Sequence, residues 1–219
     1  INIKEINMKN IIRILFCSVL LVWTTNVKAD VQLGVGGILG LVSTDGTETE
    51  GTAADTSDRS KSIEEFFAGA DLFIEAVGDN GGALGISYIP FEVDLGSGSR
   101  TDTDGDDAAE NDDGTRTASA ELTDFYTIYA NMPMGSNGFY ALLGYHFATV
   151  ETTETLNESS YGNVDIEGYQ LGFGKRSDNV KYELAYSDFE DIKITATGGG
   201  TNSVSADADA LTFRISYGF

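Results

Sequence analysis

The densest run of candidate metal ligands in this 219-residue chain is Asp102-Thr103-Asp104-Gly105-Asp106-Asp107, followed by Glu110, Asp112 and Asp113. Carboxylates spaced in this way suit a hard divalent cation, but the order departs from an EF-hand loop. Glycine sits fourth instead of sixth, and the twelfth position holds Asp113 in place of a bidentate glutamate. The stretch 96–117 therefore reads first as a solvated acidic loop, and second as a weak calcium or magnesium site on Asp102, Asp104, Asp106, Asp107 and Asp113. The single histidine, His146, lies in Gly144-Tyr145-His146-Phe147. A hydrolytic base needs a nucleophile within reach and an acid behind it; a serine two residues on would serve, and Ala148 stands there. His146 thus reads as an inward polar residue. Asp71, Glu75, Glu183 and Arg214 are charges set into otherwise apolar alternation, so their chemistry depends on which way each strand faces.

The N-terminus bears on where the chain works. Residues 1–7 read as an upstream extension. Lys9 and Arg13 form a basic region, 14–23 an apolar stretch of about ten residues, and Val27 and Ala29 a cleavage motif before Asp30. This is the pattern of a secretory signal peptide, too short to span hydrocarbon as a helix. Its removal leaves 30–219 as one domain. It takes away Lys4, Lys9, Arg13, Lys28 and Glu5, and the net charge of −22 becomes −25. Such a surface repels phosphate backbones, so nucleic-acid binding is excluded. The single cysteine, Cys17, leaves with the signal peptide, so disulfides are excluded as well. No apolar stretch long enough for a membrane helix remains, and whatever crosses a membrane here must do so as strands.

After Asp30 the hydrophobic period is two. Leu211, Phe213, Ile215, Tyr217 and Phe219 alternate with Ala210, Thr212, Arg214, Ser216 and Gly218. Phe66, Ala68, Ala70, Leu72 and Ile74 alternate with Phe67, Gly69, Asp71, Phe73 and Glu75. The same pattern marks 168–174 and 180–187, and weaker versions mark 31–43, 83–95, 118–132 and 139–150, giving eight strands. Long connections (44–61, 96–117, 151–163, 197–202) alternate with short ones (78–82, 133–138, 176–179). An antiparallel, up-and-down transmembrane β-barrel with both termini on the periplasmic side has this asymmetry and an even strand number. In a soluble sandwich or lipocalin-like barrel the greasy parity faces a core. Here the opposite parity is rich in Gly, Ala, Ser and Thr, as a narrow lumen requires, and lipid is left to solvate the aromatic face.

The signal peptide, the eight strands, the glycine-rich first strand Gln32-Leu33-Gly34-Val35-Gly36-Gly37 and the closing Phe213-Arg214-Ile215-Ser216-Tyr217-Gly218-Phe219 resemble the small outer-membrane barrels of the OmpA-like and opacity-protein group. The resemblance is one of pattern and covers the whole processed chain. It implies a monomer in the outer membrane, surrounded by lipid and lipopolysaccharide. It also implies that the barrel-assembly machinery reads Phe213, Ile215, Tyr217 and Phe219 as its signal. Cations on the acidic loop could bridge to lipopolysaccharide phosphates.

Eight strands leave room for side chains rather than an open pore. Arg214, Glu183, Glu75 and Asp71 point inward by parity and are expected to neutralise one another in a plugged lumen. The leading function is a structural or surface-interaction barrel with no enzymatic activity. A narrow porin-like channel is the alternative, and a lipid A-modifying hydrolase on His146 comes last, because its serine neighbour is missing.

Deleting Phe219 is expected to lower the fraction assembled into the outer membrane far more than it lowers the stability of folded protein. Fractionation of cells checks this, and normal insertion of the shortened chain counts against the family resemblance.

Overall fold

The computed structural model describes residues 29–52, 55–102, 114–155, 159–198 and 202–219. The leader and the acidic run from Thr103 to Asp113 lie outside them.

The chain forms β1 (Ala29–Thr52), β2 (Asp55–Gly78), β3 (Ala83–Ile89), β4 (Val93–Asp102), β5 (Gly114–Pro133), β6 (Phe139–Glu154), β7 (Ser159–Ser160), β8 (Val164–Ser177), β9 (Val180–Phe189), β10 (Ile192–Thr195), β11 (Thr197–Gly198) and β12 (Ser203–Gly218). β3 and β4 are two lengths of one stave, both paired to β5 and interrupted at residues 90–92. β9 and β10 are likewise two lengths of one stave paired to β12, interrupted at 190–191. Each stave pairs antiparallel with the next. The ladder between β1 and β12, from Gly34 opposite Gly218 to Thr49 opposite Ser203, shuts the ring at eight staves. An eight-stave antiparallel ring is the architecture of small transmembrane barrels, which the sequence resemblance implied.

The direction in which side chains face follows the alternation. Leu33, Leu39 and Leu41 of β1, Leu72 and Ile74 of β2, Leu171 and Phe173 of β8 and Leu211, Phe213 and Ile215 of β12 point outward and are exposed. The apolar band covers about ten residues per strand, the length that crosses hydrocarbon at a barrel's tilt. Its upper edge carries Tyr88 stacked on Tyr126 and Tyr145 against Phe147. Its lower edge carries Tyr182, Tyr217 and Phe219. These are the aromatic girdles of a membrane-crossing barrel.

The strands run well past the expected boundaries. Residues 44–61, expected as a loop, are nearly all ladder: β1 and β2 stay paired up to Thr52 opposite Asp55. Expected loop residues 96–102 pair with 114–120, β6 continues to Glu154, and β12 begins at Ser203. A 24-residue strand at about 3.3 Å per residue is about 80 Å long, and tilted by about 40° it rises about 60 Å, twice the hydrocarbon core. The expected boundaries fell where the greasy outer face stops. That face stops because lipid stops, while the hydrogen-bond ladder continues.

Beyond the band the pattern inverts. Val42, Leu95, Leu122, Val150, Ile166, Phe189, Ile192 and Ile194 turn inward and form one buried cluster. Their outward neighbours are polar or acidic, among them Asp45, Asp94, Glu151, Asp165 and Asp207. In this extended half an apolar core has a solvated exterior, whereas in the band half an apolar exterior surrounds a polar core.

Inside the band, large side chains are accommodated by glycines opposite them. A Cβ on Gly34 would meet the Phe73 ring at 2.1 Å, one on Gly174 the Tyr140 ring at 2.5 Å, and one on Gly36 the Asp71 carboxylate at 2.1 Å and Arg214 Nε at 2.8 Å. Gly37, one residue along, faces outward with nothing within 4 Å. Gly36→Ala is therefore expected to cost about 1–3 kcal/mol through overpacking, and Gly37→Ala to be neutral or stabilising by up to about 1 kcal/mol. Urea unfolding of the two variants in lipid vesicles checks the contrast.

Candidate functional site

The polar core of the band half is a set of ion pairs spanning the lumen. The Arg214 guanidinium on β12 makes a bidentate contact with Asp71 on β2, Nε to Oδ1 at 3.0 Å and Nη2 to Oδ2 at 2.7 Å, and its Nη1 donates to Glu183 Oε2 on β9. Glu75, four residues below Asp71 on the same face of β2, accepts from Lys181 Nζ at 2.7 Å and Arg176 Nη2 at 2.8 Å. Two phenols complete the carboxylates' shells: Tyr129 donates to Glu75 at 2.9 Å and Tyr140 to Glu183 at 2.7 Å. Arg176 also reaches Gln32 on β1 at 3.2 Å. The Phe73 ring receives Lys181 Nζ at 4.1 Å and Arg214 Cζ at 4.9 Å from its centre.

Three cations thus face three carboxylates. Asp71, Glu75, Lys181 and Glu183 are all under 5% exposed, so none is left alone where burial would be expensive. The four charges singled out by parity, Arg214, Glu183, Glu75 and Asp71, meet here in two linked clusters rather than one. Lys181 and Arg176 were missed, although Lys181 shares the inward parity of Glu183. Arg176 lies in what reads as a turn, and its reach back to β2 and β1 is set by barrel curvature, which no local pattern carries. Together the contacts tie β1, β2, β5, β6, β8, β9 and β12 across the lumen and fill it with side chains.

Above the ionic layer lies His146, 2% exposed. Its Nδ1 is 2.8 Å from Thr127 Oγ1 and its Nε2 is 2.9 Å from Ser187 Oγ. The ring sits between Phe125 and Phe189, with centroids at 4.9 Å and 5.5 Å. The serine absent beside His146 in sequence is therefore supplied by β9, two staves away. Serine and histidine both follow inward parity, but their heights come from strand shear, which the sequence does not display. The second imidazole nitrogen meets a neutral hydroxyl where a catalytic triad places a carboxylate, so no charge here supports an imidazolium. The wall next to this group encloses a cavity of about 80 Å³, with Arg214 and Glu183 below and Val42, Val93 and Phe189 above.

On the outside of the extended half, carboxylates crowd one another. Asp45 lies directly opposite Asp207, and Asp188 opposite Asp209. A hydrogen bond with Asp191, together with the charges of Asp191, Asp45 and Asp188, holds the Asp207 pKa above the usual aspartate value. The residues of the expected cation loop, Asp104, Asp106, Asp107 and Asp113, lie outside the described residues. Asp102 is described only as the backbone end of β4. Phe213, Ile215 and Tyr217 face outward in β12, and the Phe219 amide donates to Leu33 O at 2.8 Å across the closing ladder.

No protein-family model and no curated protein matches the sequence. Among solved structures the chain is similar to the outer-membrane protease OmpT from Escherichia coli, at 10% identity and TM-score 0.49 over 90% of this chain and 99% of that one. It is similar also to Neisserial surface protein A, at 10% identity and TM-score 0.36 over 84% of this chain and 97% of that one. A third similarity is to Ail, the attachment invasion locus protein of Yersinia pestis, in complex with the heparin analogue sucrose octasulfate, at 10% identity and TM-score 0.34 over 82% and 98%. The fold assignment rests on the closed ladder itself.

Arg214→Ala leaves Asp71 and Glu183 without their shared cation and is expected to cost about 3–5 kcal/mol. Arg214→Ala combined with Asp71→Asn and Glu183→Gln should recover a substantial part of that loss. Unfolding midpoints in vesicles decide it, and equal losses in the single and triple variants would mean that the cost comes from the missing Arg214 side chain and not from the stranded carboxylates.

Proposed function

We propose that the protein is an outer-membrane display barrel: a membrane-anchored scaffold, without enzymatic activity, that holds an acidic, water-facing extension beyond the lipid to engage partners there. The observation that carries this reading is the inversion of polarity along the barrel axis. A band that is greasy outside and ionic inside suits lipid, and the half that is acidic outside and apolar inside suits water. The signal-peptide pattern and the placement of the short turns at one end support a periplasmic location for both termini, with the extension facing outward.

Lipid and lipopolysaccharide surround the band in this reading, and the barrel-assembly machinery reads the aromatic alternation that ends on Phe219. Divalent cations held by the acidic exterior, including the stretch 96–117, would reduce its repulsion from lipopolysaccharide phosphates. The same repulsion disfavours nucleic acid as a partner.

A narrow channel is the second reading, favoured by the ionisable lumen. Against it, the ion pairs and the rings of Phe73, Tyr129 and Tyr140 occupy the cross-section. A hydrolase is disfavoured by the neutral partner of His146 and by its burial behind the barrel wall.

Two measurements test the proposal. Membrane fractions run without boiling should show a faster-migrating folded band that shifts on heating; a band that never shifts removes the barrel from the membrane. Purified protein in planar bilayers should be silent both before and after Arg214→Ala. Discrete conductance steps that change with the substitution would establish the channel instead.

A further inference from the structure

The barrel wall is not hydrogen-bonded throughout. Between β2 and β3 the ladder runs from Val77 opposite Ala83 up to Leu72 opposite Tyr88, and there it stops. Above that point β4 pairs only with β5. The next contacts across the seam are of side chains: Lys61 Nζ donates to Ser97 O at 3.2 Å, and Gly96 packs close beneath Ile63. Residues 64–71 of β2 and 89–95 of the neighbouring stave therefore face each other without a ladder. The other seams carry ladders both below and above this height, with short interruptions at residues 90–92 against β5 and at Asp124 and Phe125 between β5 and β6.

The local sequence accounts for the break. Pro90 has no N–H to donate and interrupts the stave between β3 and β4. On the far side of that stave β5 shifts register between Thr123 and Tyr126, with Asp124 at a φ of 48°. Burial records the consequence on β2. Asp71 and Phe73 are buried, yet Glu65, on the same inward parity, is exposed. Val42, directly opposite Glu65 on β1, is only 5% exposed.

The unladdered window straddles the upper edge of the apolar band. Phe66 on one side is 63% exposed and Phe91 on the other 55%. Behind it lies the cavity of about 80 Å³, to which Phe67 and Asp71 contribute from one side of the seam and Ser87, Ile89 and Val93 from the other. A strand edge without partners is costly in hydrocarbon, so an edge at this height needs a neighbour that tolerates it. The wall can part here without breaking a ladder hydrogen bond.

We propose that this window is a lateral entry through which the end of a lipid acyl chain passes from the surrounding membrane into the mid-barrel cavity. The inference rests on the membrane-barrel reading. The upper walls that receive the chain are chiefly apolar, Ile38, Val42, Phe125 and Leu142 among them, over a floor set by Asp71, Glu183 and Arg214. The volume equals that of two or three liquid waters at about 30 Å³ each, enough for the last few carbons of a chain but too little for a whole lipid. Glu64, Glu65, Glu92 and Asp94 surround the mouth, which favours a lipid with an ammonium-bearing head over a fatty-acid carboxylate.

The test uses processed protein in vesicles of phosphatidylethanolamine bearing a diazirine at the acyl terminus, with adducts mapped by mass spectrometry after illumination. Adducts are expected on Phe67, Phe125 or Leu142 inside, as well as on Leu171 and Phe173 outside. Ala185→Leu, which fills the cavity from β9, should lower the interior adducts about tenfold and leave the exterior ones unchanged; Ser87→Leu serves if that variant does not fold. Adducts confined to the outward residues overturn the entry, as do interior adducts that persist in a folded, filled variant. Absence of adducts on Leu171 and Phe173 would instead overturn the membrane reading.

Discussion

The ladder that closes β1 onto β12 fixes the circumference of the ring, and the circumference fixes what the inside can hold. Eight staves leave a lumen about as wide as two facing side chains. Every inward position must then be chosen against the one across from it. Gly34 gives space to Phe73, Gly174 to Tyr140, Gly85 to Tyr129 and Gly40 to Phe67. A glycine-rich first strand, which alone reads as weak, is in this context the surface against which the large residues of β2 pack.

The same closure decides where charge can go. Lipid surrounds the band, so the polar atoms of these strands have only the lumen, and there six ionised groups satisfy one another. In the extended half the outer medium is water, and the lumen reverts to an ordinary apolar core. The two halves share strands and ladders and differ only in which parity is greasy. β2 shows this within one strand: Phe66, Leu72 and Ile74 point outward in the band, while Ile63 lies on the inward parity above it.

That reversal explains what the sequence displayed and what it concealed. Parity identified the outward face of every stave in the band and placed Asp71, Glu75, Glu183, Arg214 and His146 in the lumen. It failed for 44–61 and 203–209, because Thr, Ser, Asp and Gly in alternation resemble loop when no lipid demands an apolar partner set. A signal was present in the short alternations Val93-Asp94-Leu95 and Ile192-Lys193-Ile194, which are strands of the inverted kind. The partners of each charge stayed hidden, since Arg214 to Asp71 is separated by 143 residues and depends on shear around the ring. The approach of Ser187 to His146 was concealed for the same reason.

An ionic core is not the most stable filling for a lumen, because well-packed apolar residues often equal or surpass a buried pair. Its value here lies in what it forbids. A strand that slips by one residue exchanges its two faces. In the band, a slip of β12 or β9 would turn Arg214, Lys181 or Glu183 into lipid, where an Arg or Lys at mid-depth costs about 2–4 kcal/mol, and would leave the carboxylates of β2 unpaired inside. In the extension the same slip would carry Ile192, Ile194 and Ala206 into water. Because the polarity inverts partway up, no displaced register satisfies both halves, and a strand that crosses the boundary is held in place from both ends.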